Sequence, residues 1–145
     1  MKKMNHSTRS AKFSIAKDYL YGLNGKEQNL DLAYEYITGF LKKGISSSSC
    51  KLMGDYYEFI GLSDESFFYH HKAAELGDGP SQLKMAEKLC SRIHTEKRYK
   101  DEDILKGIAF YTMALNNSSF EKSPEVIEDI KLFINYYSGI RLEDI

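Results

Sequence analysis

The sequence predicts an all-α protein of about three helix-hairpin repeats followed by a C-terminal capping helix. Apolar residues recur at helical spacing almost throughout the chain, and glycines or Asn/Ser clusters interrupt that period at intervals of about one helix. No segment shows sustained two-residue alternation with β-branched residues, which is what a half-buried strand requires.

Size and composition agree with this class. A chain of 145 residues makes about one domain, and one of that size buries roughly 68–70% of its unfolded surface without needing a disulfide or a metal. Its 42% apolar and 28% charged content is that of an ordinary globular protein. Twenty basic residues against 21 acidic ones give a net charge of -1, too balanced a field to hold a nucleic acid by counterion release. The opening residues MKKMNHSTRS are basic but lack the apolar stretch of a secretory signal. Every apolar run is interrupted well short of the ~20 residues needed to cross a bilayer. Cys50 and Cys90 fit two reduced thiols. The expectation is a cytoplasmic protein with no cofactor, associated with neither membrane nor nucleic acid and monomeric when unbound.

Residues 1–9 are expected to be flexible, and the domain to span 10–139. The first helix begins at about Ser10 and buries Phe13, Ile15, Ala16, Tyr19, Leu20 and Leu23, until Gly22 and Asn24-Gly25 stop it. Asn29 caps the second, which carries Leu32, Ala33, Tyr36, Ile37, Phe40 and Leu41 to a terminating Gly44. Serines 46 to 49 offer caps for a third helix bearing Leu52, Met53, Tyr56, Tyr57 and Ile60, ending at Gly61. Ser63 opens a fourth through Phe67, Phe68, His71, Ala74 and Leu76, closed by Gly77. Pro80 suits the first turn of a fifth, with Leu83, Ala86, Leu89, Cys90 and Ile93 buried, followed by a polar loop from Thr95 to Lys100. The sixth runs from Asp101 to Leu115 with Ile104, Leu105, Ile108, Tyr111 and Leu115 inward. Ser123 and Pro124 start the seventh, the cap helix 123–138, which turns Ile127, Ile130, Phe133, Ile134 and Tyr137 to the body. Residues 140–145 are expected to fray.

Residues 11–44, 45–79 and 80–119 align as repeats, with small residues where helices must approach. The first has Ala11, Ile15-Ala16, Tyr19, Gly22, Ala33, Tyr36 and Gly44. The second has Ser49, Met53-Gly54, Tyr57, Gly61, Tyr69, Ala73-Ala74 and Gly77. The third has Ser81, Met85-Ala86, Leu89, Gly107, Phe110-Tyr111 and Ala114. Together with the stretch from Tyr69 to Asp78, YHHKAAELGD, this pattern resembles the Sel-one-like repeat family, relatives of the tetratricopeptide repeats. The chain departs from the family in its turns. The glycine-rich connection survives loosely as Gly22-Leu23-Asn24-Gly25, shortens to Gly61-Leu62-Ser63, and becomes a charged loop near Tyr99. The paired cysteines of secreted relatives are missing. The resemblance implies an α/α right-handed superhelix whose concave side grips a partner protein in bacterial signalling, virulence or toxin immunity.

On the first helix of each hairpin, the side opposite the landmarks carries Asp18 and Tyr21, then Asp55, Tyr56 and Phe59, then Glu87, Lys88 and Arg92. Aromatic and charged residues together suit a protein-binding surface; alternatively the rings pack between repeats. His71 with Glu75, and Cys90 with His94, lie one helical turn apart, and each pair is half of a zinc site. A metal protein or small metal-dependent enzyme using His70, His71, Glu75, Cys90 and His94 is therefore the alternative. His70 and His71 point about 100° apart on one helix, which sets them against a shared substrate. No nucleophile elbow, phosphate-binding loop or His-Glu metal motif occurs, so the reading is non-catalytic. The run from Glu96 to Asp103 places basic residues directly before acidic ones, either as a handle for a partner or as a solvated lead into a helix. With few repeats and no attached domain, inhibition of one dedicated partner, such as a toxin, is the sharpest form of the expectation.

Overall fold

A computed structural model describes the backbone of residues 2–95 and 101–143, and the side chains of residues 10–91 and 102–139. Seven helices make up this part of the chain: α1 Lys2–Tyr21, α2 Leu30–Lys43, α3 Ser47–Phe59, α4 Ser63–Glu75, α5 Gly79–Thr95, α6 Asp101–Asn116 and α7 Pro124–Glu143. The protein is all-α, and among the described residues there is no strand. Helix α1 begins at Lys2, well before the expected start at Ser10, and α7 runs on to Glu143, past the expected end at 138. The loop 96–100 lies outside the described residues. The chain forms two compact units, Met1–Tyr69 and His70–Ile145, and the division falls inside α4, within the second of the three repeats.

In the first unit, α1 and α2 close on a core of Ala16, Leu20, Ala33, Ile37 and Phe40, to which α3 adds Leu52 and Met53. Ala16 and Ala33 are completely buried, and such small side chains let two helix backbones approach while larger neighbours interdigitate around them. The α1–α2 turn uses left-handed backbone at Gly22, Asn24 and Gly25. The carbonyl of Asp18 accepts from the amides of Gly22 (2.8 Å) and Leu23 (2.9 Å), satisfying the end of α1. Asn29 caps α2 as expected, accepting from the Leu32 amide at 3.1 Å. Of the four serines before α3, Ser46 is the cap. Its hydroxyl accepts from the Ser49 amide, and the Ser49 hydroxyl accepts from the Ser46 amide, each at 3.1 Å. This reciprocal pair satisfies two otherwise orphaned donors. The start of α4 is then tied to α3 by Ser66, whose hydroxyl donates to the Gly54 carbonyl at 2.9 Å.

One side-chain pair repeats within this unit. Tyr19 and Tyr36 stack with centroids 6.5 Å apart and planes 14° from parallel. Tyr57 and Tyr69 stack at 5.7 Å and 15°. Both pairs occupy the aligned landmark positions of the first two repeats, so the sequence period is also a packing period.

The second unit joins α5, α6 and α7 to the end of α4. Asp78 caps α5, accepting from the Ser81 amide at 3.0 Å and from its hydroxyl at 2.6 Å. Asn117, just past α6, donates to the Gly77 carbonyl (2.9 Å) and to Gln82 (3.1 Å), while Gln82 donates to the Ala74 carbonyl (3.1 Å). Ser123 caps α7, its hydroxyl accepting from the Val126 amide at 3.2 Å. Tyr111 of α6 lies between two rings of α7, 5.6 Å from Phe133 and 6.4 Å from Tyr137.

Several expected core positions are on the surface. On α4, Phe68 and Leu76 are exposed while Ser66, His70, Ala73 and Ala74 are buried. Leu23, Ile60, Leu105 and Phe133 are likewise exposed. On α6 the buried face is Ile104, Gly107, Phe110, Tyr111 and Ala114. In each of α4 and α6 the buried face is centred on the small residues, and large apolar residues a quarter-turn or more away are left outside.

A Cβ on Gly107 would collide with Cys90 Sγ, whereas one on Gly39, inside α2, would meet nothing within 4 Å. Gly107→Ala is expected to cost about 1–3 kcal/mol through overpacking of α6 on α5. Gly39→Ala is expected to stabilise by about 0.5–1 kcal/mol by reducing the backbone entropy lost on folding. Thermal unfolding of the two variants beside the parent measures both, and equal effects would show that close approach of α5 and α6 is not the constraint.

Candidate functional site

Lys51, Asp55 and Phe59 occupy successive turns of α3, so their side chains fall on one line along the helix. Tyr21, the last residue of α1, lies across that line. Its hydroxyl donates to Asp55 Oδ2, and its ring meets Phe59 edge-on at 6.2 Å and 63°. The Lys51 ammonium stands 3.4 Å from the same carboxylate oxygen and 6.0 Å from the Tyr21 ring centre. Asp55 is therefore held from two sides. The carboxylate side chain is only 13% exposed, so these contacts are less screened than a free surface pair. Phe59 is half exposed, which leaves one aromatic face outward beside a fixed carboxylate and an ammonium.

Of the five candidate residues in the first unit, Tyr21, Asp55 and Phe59 come together. Asp18 does not join them. It is 7% exposed, and its carboxylate accepts from Asn24 Nδ2 at 2.8 Å and from Lys26 Nζ at 3.3 Å. Asp18 thus fastens the α1–α2 turn instead of facing a partner. Tyr56, one residue round the helix from Asp55, packs on Tyr34 of α2 at 4.9 Å and on Tyr57 at 5.2 Å. Burial, reinforced by the neighbouring Tyr34 and Asp31, pushes its hydroxyl above the usual tyrosine range. Lys51 escaped the sequence reading, although its spacing of four from Asp55 is the signal of a helical ion pair.

In the second unit, Glu87 is exposed on α5 and Lys88 is half-buried beside it. Partial burial raises the Glu87 carboxyl above the usual range, opposed by Lys84. The backbone of Arg92 and His94 belongs to α5, but their side chains lie outside the described residues.

His70 is buried, while His71 places Nδ1 3.3 Å from Glu75 Oε1 and its ring edge-on to Phe110 at 5.4 Å. Among the described residues no three of His, Cys, Asp and Glu gather as a metal-holding group. A shallow groove of about 160 Å³ on the α1–α2 side is lined by Lys12, Glu35, Tyr36, Gly39, Phe40 and Lys43. Among the described residues no helix is long and apolar enough to cross a membrane.

Cys90 is buried in α5, and burial pushes its thiol up to about 12. Tyr111 and Tyr137 are raised as well, chiefly by burial and then by the nearby Cys90. In alkali the unfolded chain loses these protons first, so folding stability falls as pH rises above about 8.5, where a free thiol ionises. Urea unfolding at pH 7 and pH 10 measures this, and the expected midpoint is lower at pH 10. Cys90→Ser removes part of the difference. Rapid alkylation of Cys90 in the folded protein at pH 8 would contradict its burial.

The Tyr21–Asp55 bond also has a quantitative test. Tyr21→Phe should cost about 1 kcal/mol, and Tyr21→Phe with Asp55→Ala should cost less than the sum of the two single changes by about 0.5 kcal/mol or more. Strict additivity in chemical denaturation would remove the coupling.

Comparisons with protein-family models, with curated proteins and with solved structures find no match to this chain.

Proposed function

We propose that this chain is a non-catalytic protein–protein interaction module of the Sel-one-like repeat type, which binds and inhibits one dedicated partner protein. Such a partner is a toxin or a signalling protein in a bacterial cytoplasm. The observation that carries the reading is the Tyr21–Asp55–Phe59 cluster with Lys51. It offers large aromatic area and directed charge on two rigid helices, in the combination that dominates binding energy at protein interfaces. The stacked tyrosine pairs at repeating positions support the repeat assignment. Asp18 fastens a turn and Tyr56 is half-buried against Tyr34 and Tyr57, which favours a partner surface centred, within the first unit, on the Asp55–Phe59 side of α3.

Affinity capture with the tagged full chain from its native host is expected to recover one protein in stoichiometric amount. Charge reversal at Lys88 should weaken that complex about tenfold or more with the thermal midpoint little changed, and reversal at Asp55 should weaken it while also lowering the midpoint, because the Tyr21 and Lys51 contacts are lost with the carboxylate. Retention of full affinity by both variants would remove this assignment of the surface. Elemental analysis of the purified protein addresses the alternative of a metal protein built on His70, His71, Glu75, Cys90 and His94. A stoichiometric transition metal there would displace the binding-module reading.

A further inference from the structure

Gly39 lies in the interior of α2, where a glycine lowers helix stability relative to alanine. The two structural reasons for a glycine are absent there. Its backbone is not in the left-handed region, and a Cβ built on it would meet nothing within 4 Å. The missing side chain instead leaves open the groove of about 160 Å³ that Gly39 lines with Lys12, Glu35, Tyr36, Phe40 and Lys43. Phe40 is buried and Tyr36 half-buried, so the floor is aromatic. Both rings are held from α1, Phe40 by Phe13 at 5.3 Å and Tyr36 by Tyr19 at 6.5 Å. The groove is thus a fixed shape that needs little ordering on binding. A cavity of about 150 Å³ holds a benzene ring, so this one takes a single phenylalanine or leucine side chain.

One end of the groove is positive. Positions 35, 39 and 43 lie on successive turns of α2, which puts Lys43 about 12 Å along the axis from Glu35. The contact of Phe13 with Phe40 brings the neighbouring Lys12 to the Lys43 end. Both lysines are exposed, and among the described residues neither takes part in an ion pair, those of the first unit engaging Lys26 and Lys51. Lys42 shares the last turn of α2, so the helix end has a cation without Lys43. From position 10 to 17 and from 36 to 50 the chain has Lys12, Lys17, Lys42 and Lys43 and no Asp or Glu. A carboxylate arriving beside Phe40 meets cations and no nearby acid from either segment.

We propose that this groove is a docking site for an acidic segment of another protein. The segment inserts one phenylalanine or leucine over Tyr36 and Phe40, in the space left by Gly39, and sets flanking carboxylates against Lys12 and Lys43. The proposal rests on the protein-binding reading above and adds a second contact, made by α1 and α2, to the one on α3.

The probe is a synthetic peptide with capped termini and one phenylalanine between glutamates, titrated into the isotope-labelled full chain and followed by amide NMR shifts. Two counterparts are the controls, one with lysine in place of glutamate and one with alanine in place of phenylalanine. The expected shifts concentrate at residues 12–13 and 35–43 and weaken with added salt. They are absent with the lysine peptide, and the alanine peptide binds about tenfold more weakly or worse. Gly39→Leu, which fills the groove and suits a helix better than glycine, should weaken the glutamate peptide about tenfold or more with the thermal midpoint unchanged or raised, so that the loss does not come from unfolding. Lys12→Glu with Lys43→Glu should weaken it as much and remove the salt dependence, and Lys131→Glu on α7 should leave it unchanged. No binding of the glutamate peptide, equal binding of the lysine peptide, shifts centred elsewhere, or full affinity in Gly39→Leu overturns the proposal. If the captured partner is lost on charge reversal at Asp55 or Lys88 and retained by Gly39→Leu, this groove falls and the binding role stands. If the peptide maps to the groove and no partner is captured, the groove stands and the inhibitory role falls.

Discussion

Close approach of helices over a stripe of very small residues is the constraint on which the rest of this structure depends. Ala16 and Ala33 set it between α1 and α2, and Ala86 and Gly107 between α5 and α6. These residues bury almost no area of their own. Their effect is to bring the backbones near enough for Leu20, Ile37, Met85 and Ile104 to be fully enclosed, and interiors packed to that density lose stability when even one methyl group is added. The stripe also decides what remains outside. Once α4 turns Ala73 and Ala74 inward, Phe68 and Leu76 have no place in the core.

The connections are fixed by polar groups, each with a definite backbone partner. Asp18 closes the α1–α2 turn, the Ser46–Ser49 pair starts α3, Asp78 starts α5, and Asn117 with Gln82 ties the end of α6 to the turn before α5. The polar side chains buried in these places are satisfied, and among the described residues no buried side-chain polar atom lacks a partner. A buried carboxylate such as Asp18 is tolerable for this reason, because its charge meets Lys26 and Asn24 instead of an apolar wall.

With the turns and the stripe fixed, α3 presents different chemistry on different sides. Tyr56 and Tyr57 enter a run of rings with Tyr34 and Tyr69, while Asp55 and Phe59 face Tyr21 across the end of α1. Adjacent residues 100° apart on a helix are thereby given to the run of rings and to the contact with Tyr21. A single short helix carries the core, the aromatic run and the surface we assign to a partner.

The sequence by itself determined the local features: seven helical segments, their glycine stops, the caps at Asn29 and Ser123, and the period that places Tyr19 with Tyr36 and Tyr57 with Tyr69. Each of these depends on a few neighbouring residues or on an internal period, and such information survives in one dimension. Which face of a helix is buried was decided only in three dimensions. Apolar periodicity on α4 and α6 admitted more than one inward face, and close packing chose the one with the smallest side chains. The fate of the candidate residues was settled in the same way. Asp18, Tyr56 and Asp55 are all polar or amphipathic positions on amphipathic helices, and only the neighbours supplied by the fold, Lys26, Tyr34 and Tyr21, separate a turn fastener from a core ring and from a surface carboxylate.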